Sequence, residues 1–276
     1  MMPNSNPGIP ECRKTLTCRD IGIWMETVAP AALAELWDNV GWMAGNPDFP
    51  LSGVLVCLDV TEERVRDAAA AGLNLIVSHH PPIFTPMAAV TADTREGRLA
   101  GCSWQAGLQI FSAHTNFDAV SGGLADLFAS SLKLDRVRPF PGNGTGRQGM
   151  MGRMGRMRQP CDLNGFLQHL RVCLQIKNVR LIGPLPERID RVVTQNGAFD
   201  RKLQPFLRNG AIDVLVTGDV KYHDALDLTE AGIFTVDVGH FHSEKVFASS
   251  LADRMSKAFP GLIVRKAGET DVYTFR

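Results

Sequence analysis

Four apolar runs of this chain each end in side chains that can hold a metal ion or carry a proton: His79 with His80, His114 with Asp118, Asp219 with His223, and His240 with Glu244. Six of the seven histidines lie in these segments, His169 being the exception. Imidazole nitrogens mixed with carboxylate oxygens suit zinc, manganese, iron or cobalt better than calcium or magnesium. Five or six such ligands exceed what one catalytic tetrahedral zinc uses, and they fit two ions roughly 3.5 to 4 Å apart that share a bridging carboxylate. His240 and Glu244 stand four residues apart, so a helix starting there turns both the same way. His114 and Asp118 have the same separation, with Gly122 and Gly123 close behind. His79 and His80 are adjacent, and neighbours on an extended chain point oppositely. Either the backbone bends after the strand or each histidine serves a different ion. His114, His223 and His242 could move protons, since free histidine titrates near about pH 6.5, or could simply hydrogen-bond. Asp219 either orients a ligand or caps the following helix.

The elements that must position these groups are legible around them. In LNLIVSHHPPIF, Leu73 to Phe84, the run Leu75 to Val77 reads as a strand buried on both faces, and Pro81 and Pro82 stop it. LSGVLVCLDV, residues 51 to 60, is another strand. Thr61 caps a helix with Glu62 and Glu63 in its first turn and Gly72 as its stop. Strand, helix and strand make a βαβ unit, hence a parallel sheet, and ligands of such sheets sit beyond the carboxyl ends of the strands. Helices are expected over Glu26 to Trp37, Arg95 to Gly107, Leu124 to Leu134 and Asn164 to Leu174. Strands are expected in LQIFS, VRLIGPLP, DRVVTQNG, AIDVLVTGDV, GIFTVDVG and the closing LIVRKAGETDVYTF. MMGRMGRMRQ reads as a half-exposed strand, or else as an anion-binding loop built on Arg147, Arg153, Arg156 and Arg158. The Pro- and Gly-rich stretch 139 to 149 marks a boundary. The expected organisation is a flexible leader, 1–18, a first α/β lobe, 19–139, and a second, 147–276, whose segment 235–250 supplies ligands to the shared site. Its sheets are mostly parallel or mixed and flanked by helices.

Lys plus Arg equals Asp plus Glu at 29 each, which speaks against a nucleic-acid-binding surface. No apolar run reaches the roughly 18 residues of a membrane span, and the N-terminus lacks a secretory signal pattern, so a cytoplasmic protein is expected. Six cysteines at scattered spacings, without a CxxC pair, read as free thiols and leave any metal to nitrogen and oxygen ligands.

Taken together and in order, WDNVGW, LDVTEE, SHHPPIF, HTNFD, TGDVKYHDA and GHFHSE make the chain resemble the Nif-three-like family, also called the type 2 GTP cyclohydrolase I family, over nearly its whole length after the leader. The resemblance implies two α/β lobes with a dimetal site in the cleft between them. It places His79 and Asp118 on one ion and His80 and His240 on the other, with Glu244 bridging and His114 as a further ligand or a supporting group. It also implies a homo-oligomer, often a toroidal hexamer. The chain departs from the family where a glycine-serine-glycine turn is common, having Gln195, Asn196, Gly197 and Ala198 instead, and it lacks the long inserted domain of some members.

Two functions share this ligand set. One is a metal-dependent hydrolase in which two divalent ions activate water against a small anionic, nucleotide-like substrate, GTP being the one the family name implies. The other is a non-catalytic metal-binding or metal-handling protein that acts through protein partners.

Overall fold

The computed structural model describes residues 15–141, 152–209 and 211–274. Residues 1–14 of the expected leader and most of the expected boundary stretch, with Arg147, lie outside them. Thr17 pairs with Pro50 in an isolated bridge, and its N–H donates to the Asp20 carboxylate at 2.8 Å where the first helix, α1 (Cys18–Val28), begins. The expected helix from Glu26 to Trp37 does not form. Pro30 carries no N–H and keeps Ala29 out of the helical region (φ −146°, ψ 78°), so α1 stops and a short 3₁₀ turn, Ala31–Leu33, follows.

In chain order the next elements are β1 (Gly41–Ala44), β2 (Val54–Cys57), α2 (Glu62–Ala70), β3 (Leu75–Ser78), α3 (Arg95–Gln105), β4 (Gln109–Ser112), α4 (Thr115–Ala119) and α5 (Leu124–Ser131). Thr61 caps α2 as expected, its Oγ1 accepting from Arg64 N. Then come β5 (Asp135–Phe140), β6 (Gly152–Cys161), α6 (Leu163–Leu174), β7 (Arg180–Ile182), β8 (Ile189–Ala198), α7 (Gln204–Asn209), β9 (Val214–Gly218) and α8 (Tyr222–Glu230). The chain closes with β10 (Thr235–Asp237), α9 (His240–Glu244), α10 (Val246–Ala258) and β11 (Val264–Lys266).

Among the described residues the strands form two mixed sheets flanked by helices. The first has the order β1-β4-β3-β2-β11, parallel except for β1, and the second β5-β6-β8-β9-β10-β7, parallel only across β8, β9 and β10. Two strands cross the division expected from chain order. β5 pairs with β6 and so belongs to the second sheet, although most of it falls before residue 139. β11 returns to the first sheet and pairs with β2, while α10 buries Phe247, Leu251 and Met255 in the core over Val54, Val56, Leu75 and Val77. A parallel strand as apolar as β2 would be an unprotected edge without a neighbour on each side. The C-terminal run supplies that neighbour, and the helix before it covers the face.

β6 is a strand, and its arginines are spent within the fold. Arg153 is buried and ion-paired with Asp126, Arg156 pairs with Asp190 at 2.6 Å, and Arg158 faces Asp135 at 3.7 Å. No helix among the described residues is long and apolar enough to cross a membrane.

Candidate metal centre

The carboxyl ends of the central strands of both sheets converge on one point. His79 and His80 follow β3 directly, and their N–H groups donate to Cys57 O and Leu58 O, which extends the pairing with β2 past the strand. Ser78 Oγ donates back to His80 O at 2.9 Å and holds the bend that Pro81 and Pro82 continue. His114 precedes α4 and Asp118 lies within it, after β4; Asn196 and Gly197 end β8, Asp219 follows β9, and His240 and Glu244 form the single turn of α9 after β10.

Four histidines are oriented by one device. Each points Nδ1 at an oxygen that can only accept: His79 at Ala113 O (2.9 Å), His80 at Asp59 Oδ1 (3.0 Å), His114 at Asp38 Oδ1 (2.8 Å) and His240 at Asp219 Oδ2 (2.9 Å). A proton therefore sits on Nδ1, and the ring, once neutral, offers Nε2 as a lone pair. This is the outer-shell arrangement that fixes the tautomer and aim of a metal-binding histidine. Asp38 is itself anchored by Thr115 N and Oγ1. Burial works against its charge, but His114 and Thr115 outweigh that and hold its carboxyl at about 2.

The Nε2 atoms converge on the two oxygens of Glu244, which is almost wholly buried. On one side His80 Nε2 and His240 Nε2 lie 3.0 and 3.1 Å from Glu244 Oε2 and 3.2 Å from each other. Three donors each about 2.1 Å from a common centre, at angles somewhat over 90°, make a triangle of that size. On the other side His79 Nε2 lies 3.6 Å from Asp118 Oδ1 and 3.7 Å from Glu244 Oε1, a wider opening of the same kind. His79 is fully buried, and its Nε2 has no hydrogen-bond partner among the described residues. A buried lone pair without a donor is costly, and a cation bound between these groups would satisfy it. The donor set therefore fits divalent ions in two adjoining places, with Glu244 common to both and His114 within reach of His79 and His80.

The electrostatics follow from this crowding. Burial disfavours a charged His80, yet hydrogen bonds to Asp59 and Glu244 outweigh it and push the ring up to about 10. His240 is pushed up to about 9 against its own burial, chiefly by Glu244. Burial pushes Glu244 upward, but His79, His240 and His80 hold it well below the carboxylate range. Asp118 moves the other way, because its burial and the neighbouring Glu244 charge outweigh His79.

The Gln195 to Ala198 stretch, which departs from the family pattern, reaches the site directly. Asn196 Nδ2 donates to Asp118 Oδ1 (2.9 Å) and Glu244 Oε1 (3.2 Å). Gly197 takes φ +66°, and a Cβ there would stand 2.5 Å from Glu244 Oε1. Asp219, also at positive φ (+48°), orients His240.

His223 is not brought to the cluster. It stands exposed on the first turn of α8, edge-on to Tyr222, because the helix beginning at Tyr222 turns it outward after the Asp219 bend. His242 bonds Asp271 through Nε2 at 3.2 Å, outside the cluster, and His169 bonds Leu132 O. Asp38, Asp59 and Asn196 were missed. Asp59 carries the signature of the other sites, an apolar strand ending in a carboxylate, whereas Asp38 reads as a turn residue and Asn196 as part of a strand.

His80, His240, Asp59 and Asp219 line a cavity of about 660 Å³ that also receives Arg64, Arg95 and the C-terminal segment at Tyr273. The cluster thus opens to a space large enough for a small molecule.

Residues 16–269 match the family profile described as Duf34/NIF3 (NGG1p interacting factor 3). A Clostridium perfringens protein named "GTP cyclohydrolase 1 type 2 homolog" is 32% identical over 220 residues, covering 80% of this chain and 84% of its own length. A Lactococcus lactis protein of the same name is 31% identical over 253 residues, covering 91% and 95%. Among solved structures, a Staphylococcus aureus hypothetical protein superposes with a TM-score of 0.85 at 24% identity, covering 94% of this chain and 99% of that one. A Bacillus cereus protein related to NIF3 gives 0.84 at 23% identity, covering 95% and 100%. At those identities the structural likeness is one of fold.

Proposed function

Since the chain belongs to the Duf34/NIF3 family, we propose that it binds two divalent ions and works as a metal-dependent hydrolase on a small anionic, nucleotide-like substrate, in the manner the name of its GTP cyclohydrolase 1 type 2 homologs suggests. The observation that supports this best is that the donor triangle of His80, His240 and Glu244 opens onto the 660 Å³ cavity instead of being sealed by protein. A purely structural metal site closes its coordination with protein ligands, whereas a catalytic one keeps a face open.

In this reading His79 and Asp118 would hold one ion and His80 and His240 the other, with Glu244 common to both. Bound there, the ions supply Lewis acidity and bring the pKa of water down toward about 7. The chain's own groups do the rest. Asp59, Asp219 and Ala113 O keep the Nε2 lone pairs aimed inward. His114, its Nδ1–H held by Asp38, presents Nε2 beside His79 and His80 and can accept a proton there and release it. Arg64 and Arg95 border the cavity and face an anionic substrate.

Elemental mass spectrometry on untagged protein, before and after His79→Ala, with a nucleotide and phosphoester hydrolysis screen on the same samples, tests this. Two equivalents of metal, lost together with an activity, are expected. Two equivalents with no activity on any substrate would favour the metal-handling function, and no metal would end both.

A further inference from the structure

Two large aromatic rings stand exposed beside the metal ligands. Trp37 is 52% exposed and Phe84 45%, and neither belongs to a hydrophobic core among the described residues. Single exposed apolar residues are ordinary, but these two touch. Their ring centroids lie 5.8 Å apart with the planes inclined by 41°, so they present one continuous apolar surface. Both also rest on the same imidazole. Trp37 and Phe84 stand 6.3 and 6.5 Å from His114, each at 76° to it. His114 in turn lies 5.1 Å from His79 and 5.6 Å from His80, ring to ring. The aromatic surface is thus separated from the metal ligands by the width of one imidazole.

The backbone fixes this surface in advance. Trp37 directly precedes Asp38, whose carboxylate accepts from His114 Nδ1 at 2.8 Å and from both Thr115 N and Thr115 Oγ1. Asn39 Nδ2 donates to Ile83 O at 2.6 Å, which ties the turn carrying Trp37 to the segment carrying Phe84. Pro81 and Pro82 restrict the approach to that segment. The aspartate that aims His114 therefore also sets where Trp37 stands, and rings held in this way lose little freedom when something flat lies on them.

We propose that Trp37 and Phe84 are the ring-binding part of the substrate site: they take the flat aromatic or heteroaromatic ring of a small anion whose charged end meets the metal cluster. The inference rests on the hydrolase reading for the charged end and not for the ring. Stacking reads the face of a ring, and every base has one. Phe84 carries no polar atom and Trp37 only its indole N–H. The pair therefore selects anions that bear a ring over those that do not, and it does little to tell one base from another.

AMP and ribose 5-phosphate share a sugar phosphate and differ in the ring, so comparing their binding to the metal-loaded protein by titration calorimetry cancels the charged end. AMP should bind about tenfold more tightly, and UMP should keep most of that advantage. Trp37→Ala and Phe84→Ala should each remove most of it while leaving ribose 5-phosphate unchanged, which also shows that the variants are folded. Trp37→Phe, which keeps a ring, should recover much of it. Equal affinity of the two compounds for the wild-type protein would overturn the inference and leave the hydrolase reading intact. So would an AMP advantage that survives both alanine variants, and if light scattering then shows Trp37→Ala to alter the assembly, this face is a contact between copies of the chain. A pair-dependent advantage with no hydrolysis of any nucleotide would sink the hydrolase and leave the ring site standing. Binding of neither compound would overturn both.

Discussion

Gly197→Ala should loosen both metal positions at once without replacing a ligand. Two separate costs are involved. An alanine at φ +66° pays the left-handed backbone penalty of about 1 to 2 kcal/mol. Its Cβ would also stand 2.5 Å from Glu244 Oε1, inside any normal contact, so the carboxylate must retreat by several tenths of an ångström. Glu244 is the one group common to both ligand sets, and it is packed too tightly to move without carrying His80 and His240 with it. A displacement of this order at a ligand's supporting contact costs about 10- to 100-fold in metal affinity, here for both ions. The backbone cost alone predicts a fall in Tm of about 2 to 8 °C for a chain of this size. Gly72→Ala separates the two effects, because Gly72 has φ +70° and nothing within 4 Å of its would-be Cβ. It should lower Tm by a similar amount and leave the metals alone. Competition with a chelator of known affinity, alongside thermal melts, reads both quantities. If Gly197→Ala holds both ions as tightly as Gly72→Ala does, Glu244 does not link the two sites.

Three other outcomes follow from the same geometry. Glu244→Gln should lower occupancy of both ions and Asp118→Asn chiefly that of one, as elemental mass spectrometry would show; equal loss in the two variants would mean the ligands are divided differently. Asp59→Ala removes the acceptor that aims His80 and should weaken one ion about 10- to 100-fold with the other retained; loss of neither would make that hydrogen bond incidental. His80 and His240, raised to about 10 and 9 in the metal-free chain, are protonated at neutral pH, where their contacts with Glu244 stabilise the fold. The sign is that of raised groups: this stabilisation is complete below about pH 6.5 and is lost as pH climbs through about 9 to 10. Metal must displace those protons, so apparent affinity should rise with pH over the neutral to alkaline range. Calorimetry in buffers of different ionisation enthalpy should show proton release at pH 7, and its absence would contradict the arrangement.

By itself the sequence determined the strands and the chemistry at their ends. β-branched runs of four or five residues, stopped by Pro81 and Pro82 or by Gly239, cannot be much besides buried strands, and Thr61 with its acidic first turn cannot be much besides a helix start. Histidines and carboxylates placed at those stops mark the carboxyl edge of a parallel sheet as the site. What the tertiary structure alone decided is which groups meet. Apolar periodicity records that a face is buried but not against what, so β5 and β11 could not be assigned to their sheets from the pattern, and Pro30 overrode a helical spacing that continued beyond it. His80 and Glu244 touch across 164 residues of chain, and Asp38 reaches His114 across 76. His223 has the same residue type and the same strand-end position as the others, yet one turn of helix points it into solvent. Asn196 and Gly197, unremarkable in a strand, matter because β8 ends within reach of Glu244. A side chain's aim depends on the backbone angles at the strand's last residue and on the oxygen waiting for its Nδ1, and both are set by packing between segments far apart in sequence.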